Sequence, residues 1–277
     1  MNLSLNCNIN PPELIPREIL FSAPVKSMPK ISPDGKKVAY LSMENNIINL
    51  RIKCIEGDDD RPITCFKKGN VTYHIWTGNK YIFYIYDIDG NDNHILYRYD
   101  IESNESKALN KSKKMRIIDL DYNKNFPDEL IVAMPLDASV SLYHIDLNRD
   151  NITLFYRNPG NIHDWIIDNK RVLRGIIVFK DEHNLELMTR NSEEEKWKKI
   201  VTWNIDDALM CRSVGCSEDD NYVYIIDPGI LNTSALVKIE LNTGEREVIV
   251  CDPEYDINSL VNIYTCEFSS LLFNLNT

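Results

Sequence analysis

The chain has 277 residues, 43% of them hydrophobic and 26% charged, with 31 Lys and Arg against 42 Asp and Glu for a formal charge of −11. That composition belongs to a folded globular chain and excludes a disordered or fibrous one. An acidic balance without a basic run lacks the attraction that dominates phosphate-backbone binding, so nucleic acid is not an expected partner.

No apolar stretch reaches the roughly 18 to 20 residues that cross a bilayer. The opening MNLSLNCNINPPELIPREIL has no basic n-region, apolar h-region or cleavage site. No membrane partner is expected, and the expected location is cytoplasmic. Cys7, Cys54, Cys65, Cys211, Cys216, Cys251 and Cys266 are odd in number and scattered, which suits reduced thiols.

In chain order, residues 1–24 form a non-blade segment. Pro11 and Pro12 mark a helix start, and Leu14, Ile19, Leu20 and Phe21 form a short amphipathic turn expected to pack on something outside the first repeat. Residues 25–255 then divide into five units of four strands. Each unit has an opening strand, a turn leading into a β-branched or aromatic second strand, and two more strands. The first comprises VKSMPKI (25–31), SPDGKKVAYLS (32–42), INLRIKCI (48–55) and RPITCF (61–66). The second comprises VTYHIW (71–76), WTGNKYIFYIY (76–86), HILYRYDI (94–101) and ESKALN (105–110). MRIIDLDY (115–122), NFPDELIVAMP (125–135), SLYHIDL (141–147) and ITLFYRN (152–158) make the third. The fourth runs through NIHDWII (161–167), IDNKRVLRGIIVF (167–179), LELMTR (185–190) and WKKIVTW (197–203). MCRSVGC (210–216), SEDDNYVYIID (217–227), ALVKIEL (235–241) and REVIVCD (246–252) complete the fifth.

Leu50, Leu96, Leu142, Leu187 and Leu236 recur at steps of 46, 46, 45 and 49 residues. A sandwich or an up-and-down barrel needs alternating strands but no such repeat. Four antiparallel strands per roughly 46 residues is the pattern of a propeller blade. The expected fold is therefore all-β, a β-propeller of about five four-stranded blades plus an incomplete sixth, with a short N-terminal helical segment. Residues 256–277 supply the partial sixth blade or a divergent tail.

IPREILFSAPVKSMPKISPDGKKVAYLS (15–42), YIYDIDGNDNHILYRYDIES (84–103), NFPDELIVAM (125–134), SLYHIDLNRDNITLFYRNPGNI (141–162), and DDALMCRSVGCSEDDNYVYIID (206–227) with ALVKIELNTGEREVIVCDPEYDI (235–257) together resemble the propeller of the prolyl oligopeptidase family of serine peptidases. The likeness is to its bacterial dipeptidyl aminopeptidase and acylaminoacyl-peptidase-like branch, and it runs from about residue 12 to 257. It implies a seven-bladed propeller that screens access to an α/β-hydrolase domain bearing a Ser, Asp and His triad. The nucleophile of such a domain sits on a Gly-x-Ser-x-Gly elbow. Here no two of the ten glycines are four apart, so no serine inherits that role, and no strands alternate with helices. The hydrolase domain is expected to be absent from these residues.

Other constellations favour structural roles. His74, His94, His144, His163 and His183 lack metal-site spacing. His74 and His94 could approach within the second blade, but read as polar strand-face residues. Cys211 and Cys216 read as small strand residues rather than zinc ligands. Asp58, Asp59 and Asp60 mark a hairpin tip. Asp87, Asp89 and Asp92 mimic a calcium loop, but its twelfth position is Arg98 rather than Glu, so a turn around Asp-Gly explains them. Glu193, Glu194 and Glu195 read as a solvated charge run. Trp76, Tyr81, Phe83, Tyr84, Tyr86, Trp165, Trp197, Trp203, Tyr222 and Tyr224 read as packing residues.

The sequence thus assigns no catalytic, cofactor-binding or metal-ligating residue and implies no cofactor. The expectation is a non-catalytic, substrate-gating propeller of a prolyl-oligopeptidase-like peptidase, truncated before the hydrolase domain and inactive alone. Its partners would be peptides or a separately encoded hydrolase domain. The alternative is a stand-alone binding or scaffold propeller, TolB-like, recognising a protein or peptide.

Overall fold

The computed structural model describes residues 14–21, 24–88, 90, 94–109, 116–123, 125–136, 139–149, 151–205, 211–228, 233–261 and 270–274. Among them are five four-stranded antiparallel sheets, each made of four consecutive strands in sequence order. Blade one is β1 (Lys26–Ile31), β2 (Lys37–Glu44), β3 (Ile47–Cys54) and β4 (Arg61–Pro62). Blade two is β5 (Asn70–Thr77), β6 (Tyr81–Asp87), β7 (His94–Asp100) and β8 (Glu105–Ala108). Blade three is β9 (Asp119–Tyr122), β10 (Glu129–Leu136), β11 (Ser139–Asp146) and β12 (Asn151–Tyr156). Blade four is β13 (Ile162–Ile167), β14 (Leu173–Phe179), β15 (Asn184–Thr189) and β16 (Lys198–Asn204). Blade five is β17 (Arg212–Cys216), β18 (Tyr222–Asp227), β19 (Ala235–Glu240) and β20 (Arg246–Val250). A two-stranded sheet follows, β21 (Asp256–Val261) with β22 (Ser270–Asn274). The chain is an all-β propeller, as the repeat predicts.

The five repeat leucines occupy one register position. Leu50 pairs with Leu41, Leu96 with Ile85, Leu142 with Ala133, Leu187 with Ile177 and Leu236 with Ile226. All five are buried. Because successive side chains alternate faces, each blade has two apolar faces, and each face that carries the leucine packs on the next blade. Leu41 and Leu50 meet Ile82, Tyr84 and Tyr99 of blade two. Phe83, Ile85 and Leu96 meet Leu130, Val132 and Ile145 of blade three. Ala133 and Leu142 meet Ile176 and Val178 of blade four, and Ile177 and Leu187 meet Ile225 and Val237 of blade five. Ile226 and Leu236 are covered by Ile257 of β21.

The turns before each second strand repeat as well. Ser32 Oγ lies 2.6 Å from Asp34 Oδ1 and accepts the Lys37 amide at 2.9 Å. Ser217 does the same with Asp219 and the Tyr222 amide, at 2.6 and 3.0 Å. The left-handed position of this turn holds Gly35 at φ 71°, Arg171 at φ 65° in blade four and Asp220 at φ 59° in blade five. Only the first is the residue type the conformation favours.

Two segments differ from expectation. The fourth strand of blade one stops at Pro62 rather than continuing to Phe66, because side chains replace the ladder. The Leu50 amide donates to Thr64 Oγ1 (2.9 Å) and the Phe66 amide to Asn49 Oδ1 (2.8 Å). At the N-terminus, Pro11 and Pro12 lie outside the described residues. The helix α1 (Arg17–Leu20) starts directly after Pro16, whose fixed φ suits the position before it. Leu14, Ile19, Leu20 and Phe21 are 94%, 67%, 58% and 82% exposed. These exposures differ from the burial expected of a packed amphipathic turn.

Candidate functional site

First strands of neighbouring blades meet, β1 with β5 and β13 with β17, which places the opening strands at the propeller axis. Side chains of these opening strands contribute to two small cavities and to a cation–ring contact. Toward blades one and two, the Lys30 ammonium lies 4.1 Å from the centre of the Tyr73 ring. Burial pushes the Lys30 ammonium below its ordinary pKa. Burial, and secondarily the Asp119 carboxylate, pushes the Tyr73 phenol up.

Toward blades three to five lies a cavity of about 210 Å³, lined by Asp119, Asp121, Asp164, Trp165, Ser213 and Gly215 among others. Asp164 Oδ2 accepts the Ser213 amide at 2.6 Å and lies 2.8 Å from the Ser213 hydroxyl. Its Oδ1 accepts the Trp165 amide at 2.8 Å. Burial pushes the Asp164 carboxyl up, and these hydrogen bonds oppose it. Asp121 is ion-paired with Arg171 of blade four. Water reaches half of its side chain, 53%, yet burial still raises its carboxyl pKa against the pull of Arg171. The two observations fit a group that faces water inside a concave wall. Asp119 accepts the Leu120 amide at 2.8 Å. A smaller cavity of about 110 Å³ is lined by Tyr73, His94, Ile117 and Asp119 among others.

Both cavities are below the roughly 300 Å³ at which small-molecule pockets begin. Ser213 faces a carboxylate rather than an imidazole, since His163 directs Nε2 to the Cys211 carbonyl at 3.2 Å. A base-activated nucleophile needs that missing hydrogen bond.

The residues singled out from sequence fall elsewhere. His74 and His94 are not brought together, and neither lies on a polar face: both are buried. His74 Nε2 reaches the Ala39 carbonyl of blade one at 3.3 Å, whereas His94 Nδ1 accepts the Ile117 amide at 2.9 Å, toward blade three. His144 pairs with Glu129 at 3.2 Å. Cys211 is buried, and Cys216 Sγ lies 3.8 Å from the Ile167 carbonyl. Asp87 accepts the Gly90 amide at 3.0 Å, a turn contact, while Asp89 and Asp92 lie outside the described residues. Asp59 and Asp60 sit at the expected hairpin tip but are engaged, Asp59 by the Cys54 amide (2.7 Å) and Asp60 by Arg51 (2.9 Å). Glu193, Glu194 and Glu195 are exposed in a turn. The indoles are mostly tied across blades: Trp76 Nε1 donates to the Lys30 carbonyl (2.9 Å), and Trp203 Nε1 to Asp227 (2.9 Å).

The polar lining residues Tyr73, Asp119, Asp121, Asp164 and Ser213 were not singled out from sequence. Tyr73, Asp119 and Asp164 pair with Ile85, Ala133 and Ile177, the partners of the repeat leucines. Projecting the leucine repeat one strand back would have found them.

No family model matches the chain. It is 24% identical over 249 residues to dipeptidyl aminopeptidase BIII of Pseudoxanthomonas mexicana, covering 88% of this chain and 36% of that protein. It is 22% identical over 235 residues to dipeptidyl peptidase family member 6 of Caenorhabditis elegans, covering 77% and 31%. The chain thus spans about a third of the length of these curated relatives. Among solved structures, TolB from Acinetobacter baumannii aligns with a TM-score of 0.52 at 16% identity, over 80% of this chain and 53% of that one. Oligogalacturonate lyase from Vibrio parahaemolyticus aligns at 0.51 and 14%, over 82% and 66%. At these identities the structural matches speak for the propeller fold. No helix among the described residues is long and apolar enough to cross a membrane. With the curated matches running along the blade repeat, on a propeller, the chain is related to the prolyl oligopeptidase family of serine peptidases.

Proposed function

We propose that these residues form the non-catalytic, substrate-gating propeller of a cytoplasmic peptidase related to the prolyl oligopeptidase family, and that they do not hydrolyse peptides alone. In this reading residues 1–24 are an N-terminal segment, 25–255 the five blades and 256–277 a partial sixth blade, with the hydrolase domain supplied outside them. The carrying observation is that similarity to the curated relatives covers only 36% and 31% of their lengths, while the sequence holds no Gly-x-Ser-x-Gly elbow. The expected outcome for the purified chain is no turnover of aminoacyl or acyl-aminoacyl chromogenic peptides. Hydrolysis that a serine-directed inhibitor abolishes would overturn the reading.

The fold shared with TolB favours a second reading, a stand-alone propeller that binds a protein or peptide. Translating the DNA that follows the codon for Thr277 separates the two. A frame with further blades and a nucleophile elbow supports the peptidase reading, and its absence supports the binding propeller.

A further inference from the structure

In blades one, four and five the turn before the second strand closes the same way. The amides of Gly35, Arg171 and Asp220 donate to the carbonyls of Ser32, Asp168 and Ser217 at 2.9, 3.1 and 3.0 Å. All three residues have positive φ, a conformation that crowds the β carbon of any residue but glycine. At Gly35 a β carbon would meet nothing within 4 Å, so space does not select the residue there. Blades four and five nevertheless place an arginine and an aspartate at this position.

Both side chains reach back to the preceding blade. Arg171 is 8% exposed, pairs with Asp121 of β9 and donates to the Glu129 carbonyl of β10 at 3.4 Å. Its buried Nε has no partner among the described residues. Asp220 is 3% exposed. Its Oδ1 accepts the backbone amide and the side-chain amide of Asn169, each at 2.9 Å, and its Oδ2 lies 3.6 Å from Lys170 Nζ. Asn169 Nδ2 also donates to the Ser217 carbonyl at 2.8 Å. Aspartate commonly settles in turns by bonding to the backbone two residues on. Here that local role falls to Asp219, whose Oδ1 accepts the Asn221 amide at 3.2 Å and the Ser217 hydroxyl at 2.6 Å. The Asp220 carboxylate is left for blade four.

We propose that the left-handed turn position of blades four and five is a coupling device, in which Arg171 fastens blade four to blade three and Asp220 fastens blade five to blade four. A residue chosen for the turn alone would be glycine, as in blade one. It would carry neither the crowded backbone nor a buried guanidinium nitrogen without a partner. Backbone outliers persist where their surroundings over-determine them, and the surroundings here are the neighbouring blade. Apolar burial is non-directional, whereas these bonds require particular atoms to meet, so they fix how three successive blades sit against one another. Blades one and two also touch at their turns, but through a bond that needs no left-handed side chain, from the Asp34 amide to Asn79 Oδ1 at 2.9 Å. The device is independent of whether the propeller gates a peptidase or binds a partner.

The test is Asp220→Gly in the full chain, which gives the turn its favoured residue and removes the tie. Hydrogen exchange is read by peptide. The expected result is exchange about tenfold faster in β14 and β18, the scale of losing hydrogen bonds to a charged group, with β2 and β3 unchanged. Asn169→Ala should speed the same strands in the natural chain but add less than about twofold in the Asp220→Gly background, because the two residues act as one contact. Arg171→Gly should likewise speed exchange in β9 and β10. Unchanged or slower exchange in β14 and β18 would show Asp220 to be a turn residue only and overturn the proposal, as would independent effects of the two substitutions. Should Asp220→Gly not fold, exchange of the natural chain in low urea decides: a common urea dependence of β10, β14 and β18 amides supports the coupling, and separate dependences overturn it.

Discussion

A histidine with no solvent exposure and an unpaired ring nitrogen has one favourable state, the neutral one. His74 is 0% exposed, and its Nδ1 has no partner. Burial, reinforced by the Lys30 charge, pushes its pKa from 6.5 down to about 3. Between those values the unfolded chain binds a proton that the folded chain refuses, so stability is present above pH 6.5 and lost as pH falls toward 3. The slope attributable to His74 approaches about 1.4 kcal/mol per pH unit. Urea unfolding of His74→Leu and the natural chain from pH 7 to pH 4 should show the variant gaining in relative stability as acid is added. Parallel curves would refute the assignment. The Cys211 and Cys216 thiols are also pushed up by burial, Cys216 to about 12, and both should resist maleimide in the folded chain. The apolar repeat was legible in the sequence because its period is local. The depth of His74 was not, because it depends on blade one lying over it.

Strands and turns were mostly legible, since Asp, Asn and Gly mark the reversals and alternation marks the strands. The exception, the short fourth strand of blade one, comes from side chains competing with the backbone for amide partners. Asn49 Oδ1 accepts from both the Phe66 amide and the Thr64 hydroxyl, each at 2.8 Å, and Asn49 is 8% exposed. Asn49→Ala leaves those donors unpaired and should cost about 1–3 kcal/mol, with faster hydrogen exchange at the Phe66 amide. Unchanged exchange there would show that the ladder re-forms without the side chain.

Each core cluster lies between consecutive blades or beneath β21, so stability is built largely from nearest-neighbour terms. Leu187, fully buried between blades four and five, tests this. Leu187→Ala should cost about 2–5 kcal/mol and speed hydrogen exchange in β14, β15, β18 and β19 while leaving β6 and β7 unchanged. Uniform acceleration would mean that the blades unfold as one unit.

The sequence by itself determined the blade: four strands, their turns and the leucine position, all of which follow from alternation and turn chemistry within about 46 residues. It also carried the kinship with the prolyl oligopeptidase family and the missing nucleophile elbow. Only the tertiary structure decided how the blades use their faces. It joined Asp164 to Ser213, Asp121 to Arg171 and Asp220 to Asn169 across blades. Those pairings depend on which face meets which neighbour, and a strand's pattern records that a face is buried or polar without recording what lies opposite it.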